Sequence, residues 1–271
     1  MRKAERRVAL VTGASTGIGR ASAVALAKAG FQVFGTSRKP VADAPKGVTM
    51  LVCDVTDDAS VVKLVNDVMA QAGKIDLLVN NAGLGLLAAA EESSVTQAQA
   101  LFDVNFFGTL RVIGAVLPVM RQQGRGRIVN VSSVLGFLPA PFSALYAATK
   151  HAIEGYSESL DHEVRALGIR VVLVEPAYTR TSFESNVLTA DNLLGAYEAA
   201  RNGISAVMAK TMEGGDAPEV VAKAVVKAAN DKTPKLRYVG SKFAARVTML
   251  RRFVPAAAFD KSLRKQLGLP V

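Results

Sequence analysis

Six short apolar runs punctuate the chain, at residues 8–12, 31–36, 48–55, 77–79, 127–132 and 170–175. Between them the apolar positions recur every three to four residues. One such stretch is alanine-rich, runs to about Ala29 and is closed by Gly30; a second reaches about Ala72, with Asp57 or Asp58 placed to cap it. A third covers 94–120, and a fourth carries Leu145, Ala148, Ala152, Ile153, Tyr156, Leu160 and Val164. Unbroken apolar runs of this length suit strands buried on both faces, and the 3.6-residue stripes suit the helices that bury them. Their alternation predicts an α/β fold with a mostly parallel sheet covered on both sides. A polar stretch with a few apolar anchors, 178–202, follows the last run. No repeat, low-complexity segment or domain linker breaks the 271 residues, so one domain over 1–271 is expected.

Composition narrows this picture. Half of the residues are apolar and 21% are charged, enough for a sizeable core and too apolar for global disorder. The single cysteine, Cys53, leaves no internal disulfide, so a reducing, cytoplasmic setting is expected. The basic start, MRKAERR, is followed by an apolar run too short for a signal peptide, and no unbroken apolar segment is long enough to predict a membrane-spanning helix. Two histidines, His151 and His162, both expected on the surface of the fourth helix, and no cysteine pair leave no zinc site. The net charge of +10 is unevenly placed: 232–271 holds ten Lys/Arg and one acid, Asp260, so the body is nearly neutral and the tail strongly basic.

The first run leads into Gly13-Ala-Ser15-Thr16-Gly17-Ile18-Gly19 and then into a helix. Glycines let the backbone approach a pyrophosphate, and a helix start offers unpaired N–H groups to it, so this turn is a candidate dinucleotide site. The second run ends at Ser37-Arg38-Lys39. An acid there would hold the ribose 2′-hydroxyl of NAD, whereas an arginine accommodates a 2′-phosphate, which points to NADP(H) over NAD(H). A solvated basic turn is the other reading. Asp54, with Val55 beside it, ends the third run at a place suited to the adenine edge.

Tyr146 and Lys150 stand four apart in the fourth helical stretch. That spacing puts side chains on one face, with Cβ atoms about 5–6 Å apart. A cation about 4 Å from a phenolate, at an effective dielectric near 20, stabilises it by roughly 4 kcal/mol. The pair is therefore expected to bring the tyrosine pKa down by about 3, into the range useful for acid–base catalysis. Ser133, thirteen residues before Tyr146 at the end of the fifth run, can hydrogen-bond the oxygen that the tyrosine protonates.

With these residues in view, the chain resembles the short-chain dehydrogenase/reductase family, over roughly 8–181. TGASTGIG (12–19) resembles its TGxxxGxG turn, NNAG (80–83, with Asn81, Ala82 and Gly83) its strand-four motif, and YAATK (146–150) its YxxxK; Ser133 is the second serine of an SS pair, and Asn105 falls where the family has a catalytic asparagine. The resemblance implies a seven-stranded, doubly wound Rossmann-type sheet and hydride exchange between the nicotinamide and a carbonyl/alcohol pair. It implies Tyr146 as general acid/base and Lys150 bound to the nicotinamide ribose. Asn105 would hold a water that connects Lys150 to solvent. It places Pro176, Ala177, Thr179 and Thr181 beside the nicotinamide and the phosphates. Pro176-Ala177 departs from the family's Pro-Gly, adding a methyl group near the expected cofactor. From Tyr238 onward the sequence resembles the tails of members similar to 17β-hydroxysteroid or retinol dehydrogenases.

The segments 84–90 and 135–142 are apolar and, with 178–194, are the expected substrate contacts, which favours a lipophilic ketone, aldehyde or secondary alcohol; packed core or a dimer contact is the equal alternative for these residues. A homodimer or homotetramer is the expected assembly, with no nucleic-acid partner. Two rival readings stand beside this one: a nucleotide sensor without chemistry, and an enzyme bound peripherally to membrane through its basic tail. For the tail itself, packing beside the substrate pocket with its cations solvated is the favoured expectation.

Overall fold

The computed structural model describes residues 6–181 and 187–270. Its first half runs β1 (Val8–Val11), α1 (Gly17–Lys28), β2 (Gln32–Ser37), β3 (Val48–Val52), α2 (Asp58–Ala72) and β4 (Leu77–Asn80). There follow β5 (Gly85–Leu86), α3 (Val95–Phe102), α4 (Gly108–Gln123), β6 (Gly126–Val131), α5 (Ala144–Val164) and β7 (Ile169–Glu175). The chain ends with β8 (Val187–Leu188), α6 (Glu198–Glu213), α7 (Pro218–Asn230), β9 (Arg237–Val239), α8 (Lys242–Phe253) and α9 (Ala256–Gln266).

Seven strands form one sheet in the order β3-β2-β1-β4-β6-β7-β9, and each pairing is parallel. Leu10 lies opposite Phe34 on one side and Leu78 on the other, so the apolar runs are in register across the middle. Successive residues of a strand point to opposite faces. Val8, Leu10, Leu78, Ile128 and Val171 accordingly pack under α2, α4 and α5, while Ala9, Val11, Val79, Val129 and Val172 pack under α1 and α7. Each central strand is buried on both sides, which is why its sequence shows no alternation.

Caps follow the sequence. Asp57, not Asp58, caps α2, accepting from the Ala59 N–H at 2.9 Å, and Gly73 ends that helix at φ +68°. Both histidines lie exposed on α5. Three features depart from expectation. The third strand stops at Val52. The seventh strand, β9, is three residues long and had no apolar run to announce it. The single helix expected over 94–120 is split by a π-type turn at Asp103–Phe107, where one extra residue re-aims Asn105.

The run Val95–Gln123 is also long and apolar enough, by length and composition, to cross a bilayer, contrary to the sequence reading. Its Leu101, Val112, Ile113, Val116 and Met120 are completely buried in the domain, which makes it a core helix.

The order of the sheet reverses between β1 and β4: the chain winds outward from β1 to β3, returns, and winds outward again from β4. At such a switch point the loops leave in opposite directions and open a crevice at the carboxyl ends of the strands.

Candidate active site

That crevice is a cavity of about 1020 Å³. Its floor begins at the glycine turn after β1. Gly13 and Gly17 have φ of +64° and +54°, values that L side chains rarely adopt, and a Cβ on Gly13 would stand 3.0 Å from Ala82 Cα. Asn81 fixes the turn from the β4 side: its Nδ2 donates to the carbonyls of Thr12 and Gly13 at 3.1 Å each, and its own N–H donates to Thr12 Oγ1 at 2.9 Å. Gly13 N–H reaches Thr36 Oγ1 at 3.3 Å. Gly19 lies beneath the wall rather than in it, because a Cβ there would sit 2.1 Å from the Gly13 carbonyl oxygen. The glycine lets α1 start this close to the turn.

Helix α1 has no side-chain cap and no acid in its first turn. Its N-terminal N–H groups and positive dipole end therefore face the cavity edge formed by Ser15, Thr16, Gly17 and Ile18. Thr181 stands opposite, with its Cβ 3.2 Å from the position of a Gly17 Cβ. Orphan donors and a cradle that any Cβ would fill are what a dinucleotide diphosphate requires, so these residues fit that group.

At the adenosine end, Ser37, Arg38, Asp54 and Val55 line the wall. Hydrogen bonds from the Thr56 N–H and hydroxyl, at 2.9 and 2.7 Å, hold the Asp54 carboxylate below its usual pKa, and the positive charge of Arg38 adds to this. Lys39 is placed differently from the sequence reading. It is exposed and off the wall, and its N–H donates to Ser37 Oγ at 3.2 Å, so the tight Ser37 turn aims it into solvent.

The chemistry end joins Ser133, Tyr146 and Lys150, with Ala82, Gly83, Pro176, Ala177 and Thr179 around them. Ser133 Oγ accepts from Leu135 N–H at 3.1 Å, opening the three-residue turn Val134–Gly136, and its side chain hydrogen-bonds the Tyr146 phenol. Burial pushes Tyr146 up to about 12, partly offset by that bond from Ser133. Burial lowers Lys150 to about 8, and the negative charge of Glu154 opposes the fall.

The expected lowering of the tyrosine pKa by Lys150 is therefore not what this arrangement gives. The ammonium lies 5.6 Å from the centre of the Tyr146 ring and donates to the Val131 carbonyl at 3.0 Å, which anchors α5 to the end of β6. Desolvation of the phenol outweighs a cation at that distance.

Asn105 is also placed otherwise. It is buried outside the cavity wall; its Oδ1 accepts from Leu84 N–H at 2.8 Å, and its Nδ2 donates to the Leu84 carbonyl at 2.9 Å and to Thr149 Oγ1 at 3.2 Å. These bonds use both amide hydrogens, and through them the side chain ties the loop after β4 to α5. The Ala177 methyl packs with the cluster around Val134, Leu138 and Ala244, so the departure from glycine is absorbed by the tail.

Two arrangements were missed in the sequence. Glu154 and Glu158 continue the i, i+4 row of Tyr146 and Lys150, a spacing that could have revealed them. Arg237 on β9 joins this row to the end of β7: its Nη2 is 3.0 Å from Glu154, its Nε is 3.0 Å from Glu175, and it also pairs with Glu158. Burial pushes Glu175, next to Pro176, up to about 8.

The second is the buried Glu92, which accepts from the N–H groups of Ala89 and Leu194 at 2.9 and 3.0 Å and pairs with Arg201 of α6. No local pattern announces it. It holds the apolar segment after β4, the 187–194 region and α6 together, and β5 pairs with β8 beside it.

Beyond the catalytic residues the wall is mostly apolar: Leu84, Leu87, Leu135 and Leu138 from the expected segments, Met208 and Met212 from α6, and one face each of α8 and α9, where Ser262 and Gln266 are polar exceptions. Residues 182–186 of the expected substrate region lie outside the described residues. Among the described residues no cluster of His, Cys, Asp and Glu could hold a metal ion.

The family model described as short chain dehydrogenase matches residues 7–192. A 3-ketodihydrosphingosine reductase of Bacteroides thetaiotaomicron is 42% identical over 180 residues, about two thirds (66%) of each chain. Retinol dehydrogenase 8 of Bos taurus is 36% identical over 254 residues, 85% of this chain and 80% of that one. Among solved structures, a short-chain dehydrogenase from Streptomyces avermitilis matches with a TM-score of 0.83 at 33% identity, over 98% of both chains. Two others were determined with a cofactor. One, from Burkholderia phymatum, is in complex with NAD (TM-score 0.79, 25% identity, 93% of this chain and 95% of that one). The other, from Burkholderia cenocepacia, is in complex with NADP (TM-score 0.74, 25% identity, 98% and 99%).

Proposed function

The chain belongs to the short-chain dehydrogenase family of oxidoreductases, and on that premise we propose that it is an NADP(H)-dependent reductase of lipophilic ketones or aldehydes, or the corresponding alcohol dehydrogenase. The observation that carries the reading is the Ser133–Tyr146–Lys150 group at the junction of a dinucleotide groove and an apolar chamber. When bound, the nicotinamide supplies or accepts the hydride.

The protein's own part is proton handling and orientation. With a pKa of about 12 the phenol of Tyr146 is protonated at neutral pH, so it serves as the acid that protonates the substrate oxygen in reduction. The hydrogen bond from Ser133 and the charge of Lys150 stabilise the phenolate left behind. Ser133 is also within reach of the same oxygen and holds it in place. Arg38 on the wall, with Ser37 where an acid would repel a phosphate, supports the choice of NADP(H). Leucines and methionines on the opposite wall favour an apolar substrate. The names of two relatives, a 3-ketodihydrosphingosine reductase and a retinol dehydrogenase, point the same way.

The test is oxidation of NADPH and NADH, side by side, against a panel of lipophilic ketones and aldehydes. NADPH is expected to be preferred. Tyr146→Phe should lose a factor of about 10²–10⁴ in kcat, the usual worth of a positioned acid, and Arg38→Ala should reduce the NADPH preference roughly tenfold or more, one charge-assisted contact. A preference for NADH would overturn the role given to Arg38. Cofactor binding without turnover on any substrate would favour a sensor.

A further inference from the structure

The basic tail has two faces with different surroundings. On α8, Phe243, Val247 and Leu250 fall on one line, continued by Val254, and all four line the cavity; Ala244 is fully buried against Val134 and Leu138. The neighbouring line, Lys242, Arg246, Met249 and Phe253, displaced by one residue or about 100° around the helix, has the same i, i+4, i+7, i+11 spacing and is exposed throughout. Met249 is 63% and Phe253 71% exposed, among the most exposed large apolar side chains described. Arg252 lies over the Phe253 ring at 5.6 Å and Arg251 over Phe259 at 5.4 Å. The helix contains no acid, and among the described residues none of its cations is in a salt bridge.

We propose that the outer face of α8 docks on an anionic lipid surface. Two apolar side chains ringed by unpaired cations match a bilayer carrying negative headgroups: the side chains enter the acyl boundary, and the cations stay among the headgroups. The charge is confined to this end of the chain, since the rest is nearly neutral, so attraction would orient the molecule as well as hold it. The inner face of the same helix walls the chamber. Docking therefore sets the chamber beside the phase in which a lipophilic substrate dissolves, and in that respect the proposal rests on the substrate class given above.

Co-sedimentation of the full chain with vesicles tests it: phosphatidylcholine alone, and phosphatidylcholine with phosphatidylglycerol, at low and high salt. Binding to the anionic vesicles only, lost at high salt, is expected. Arg246→Gln/Arg252→Gln should weaken it by roughly tenfold or more, since each cation near such a surface contributes appreciably, and Met249→Ser/Phe253→Ser should weaken it at low salt. None of these four residues lines the cavity, so turnover of a water-soluble ketone should stay unchanged in both variants, which also reports that they fold. No binding to anionic vesicles at low salt would overturn the proposal. Binding unaffected by either variant would do so too, as would equal charge-dependent binding to duplex DNA, or a wild-type dimer that the serine variant dissolves. Vesicle binding is read without any substrate, so a wrong substrate class would leave that result standing.

Discussion

Glu154 shows how a single residue tunes this site. One helical turn beyond Lys150, its charge opposes the desolvation that lowers the lysine to about 8. Lys150 must be charged to stabilise the phenolate, so reduction should decline as pH rises through about 8. Glu154→Gln removes the opposing charge, and Lys150 then releases its proton at lower pH. The alkaline limb of kcat/KM should move toward neutrality in this variant, with kcat at pH 6 little changed. A uniform loss at all pH values would mean that Glu154 only maintains structure. Tyr146 and Lys150 were readable as a pair, and so was Ser133. The sign of the tyrosine shift was not, because spacing gives direction along a helix but not depth, and at this depth desolvation outweighs a cation 5.6 Å from the ring.

At the scale of elements, the chamber is a joint between segments that have no sequence signal in common. The pair Glu92–Arg201 fastens α6 to the segment after β4, and the N–H of Leu194 shares the same carboxylate. Arg201→Ala leaves Glu92 buried with backbone donors alone, so α6 and the 187–194 region should loosen. The expected result is a KM for lipophilic substrates raised several-fold with kcat nearly intact, because Tyr146 and Lys150 stand on α5, away from the joint. An equal fall in kcat would show that α6 also orders the catalytic residues. Asn105 belongs to this scale too. The VNFFG string was legible, but a π-type turn cannot be read from periodicity, and that turn aims the amide at Leu84 and Thr149. The inner line of α8 was partly legible: the tail's apolar residues stood out, and packing beside the pocket was the favoured reading.

For the whole molecule, β9 makes the sheet continuous with the tail, and Arg237 is the fastener. From a strand more than 60 residues further on it draws together Glu154 and Glu158 of α5 and Glu175 of β7. The folded state holds the Glu175 proton up to about 8, whereas an ordinary glutamate releases it near 4.5. Between those values the folded chain binds more protons than the unfolded one, so this group's contribution to stability is lost as pH rises from about 4.5 to 8. Lys150 works in another window: its depressed pKa makes stability rise only between about 8 and 10.5. Thermal unfolding at pH 5 to 8 should show a shallower decline for Glu175→Gln than for the wild type, with Tm differing by about 2–4 °C for each kcal/mol involved. Parallel curves would assign the decline to other groups.

Local pattern was enough for the parallel sheet, the glycine turn, the Tyr146–Lys150 face and the basic end of β2, because each depends on neighbours within a turn or on strand burial that repeats locally. Tertiary structure alone decided which helix Asn105 serves, where Lys39 points, how far the phenol is desolvated, and that α6, α8 and α9 close one chamber. Those outcomes depend on contacts between residues such as Glu92 and Arg201 or Glu154 and Arg237, about 80 to 110 positions apart. Hydrophobic periodicity is silent about such pairs. Buried charges must find partners wherever the fold brings one near, and only the completed packing fixes which partner that is.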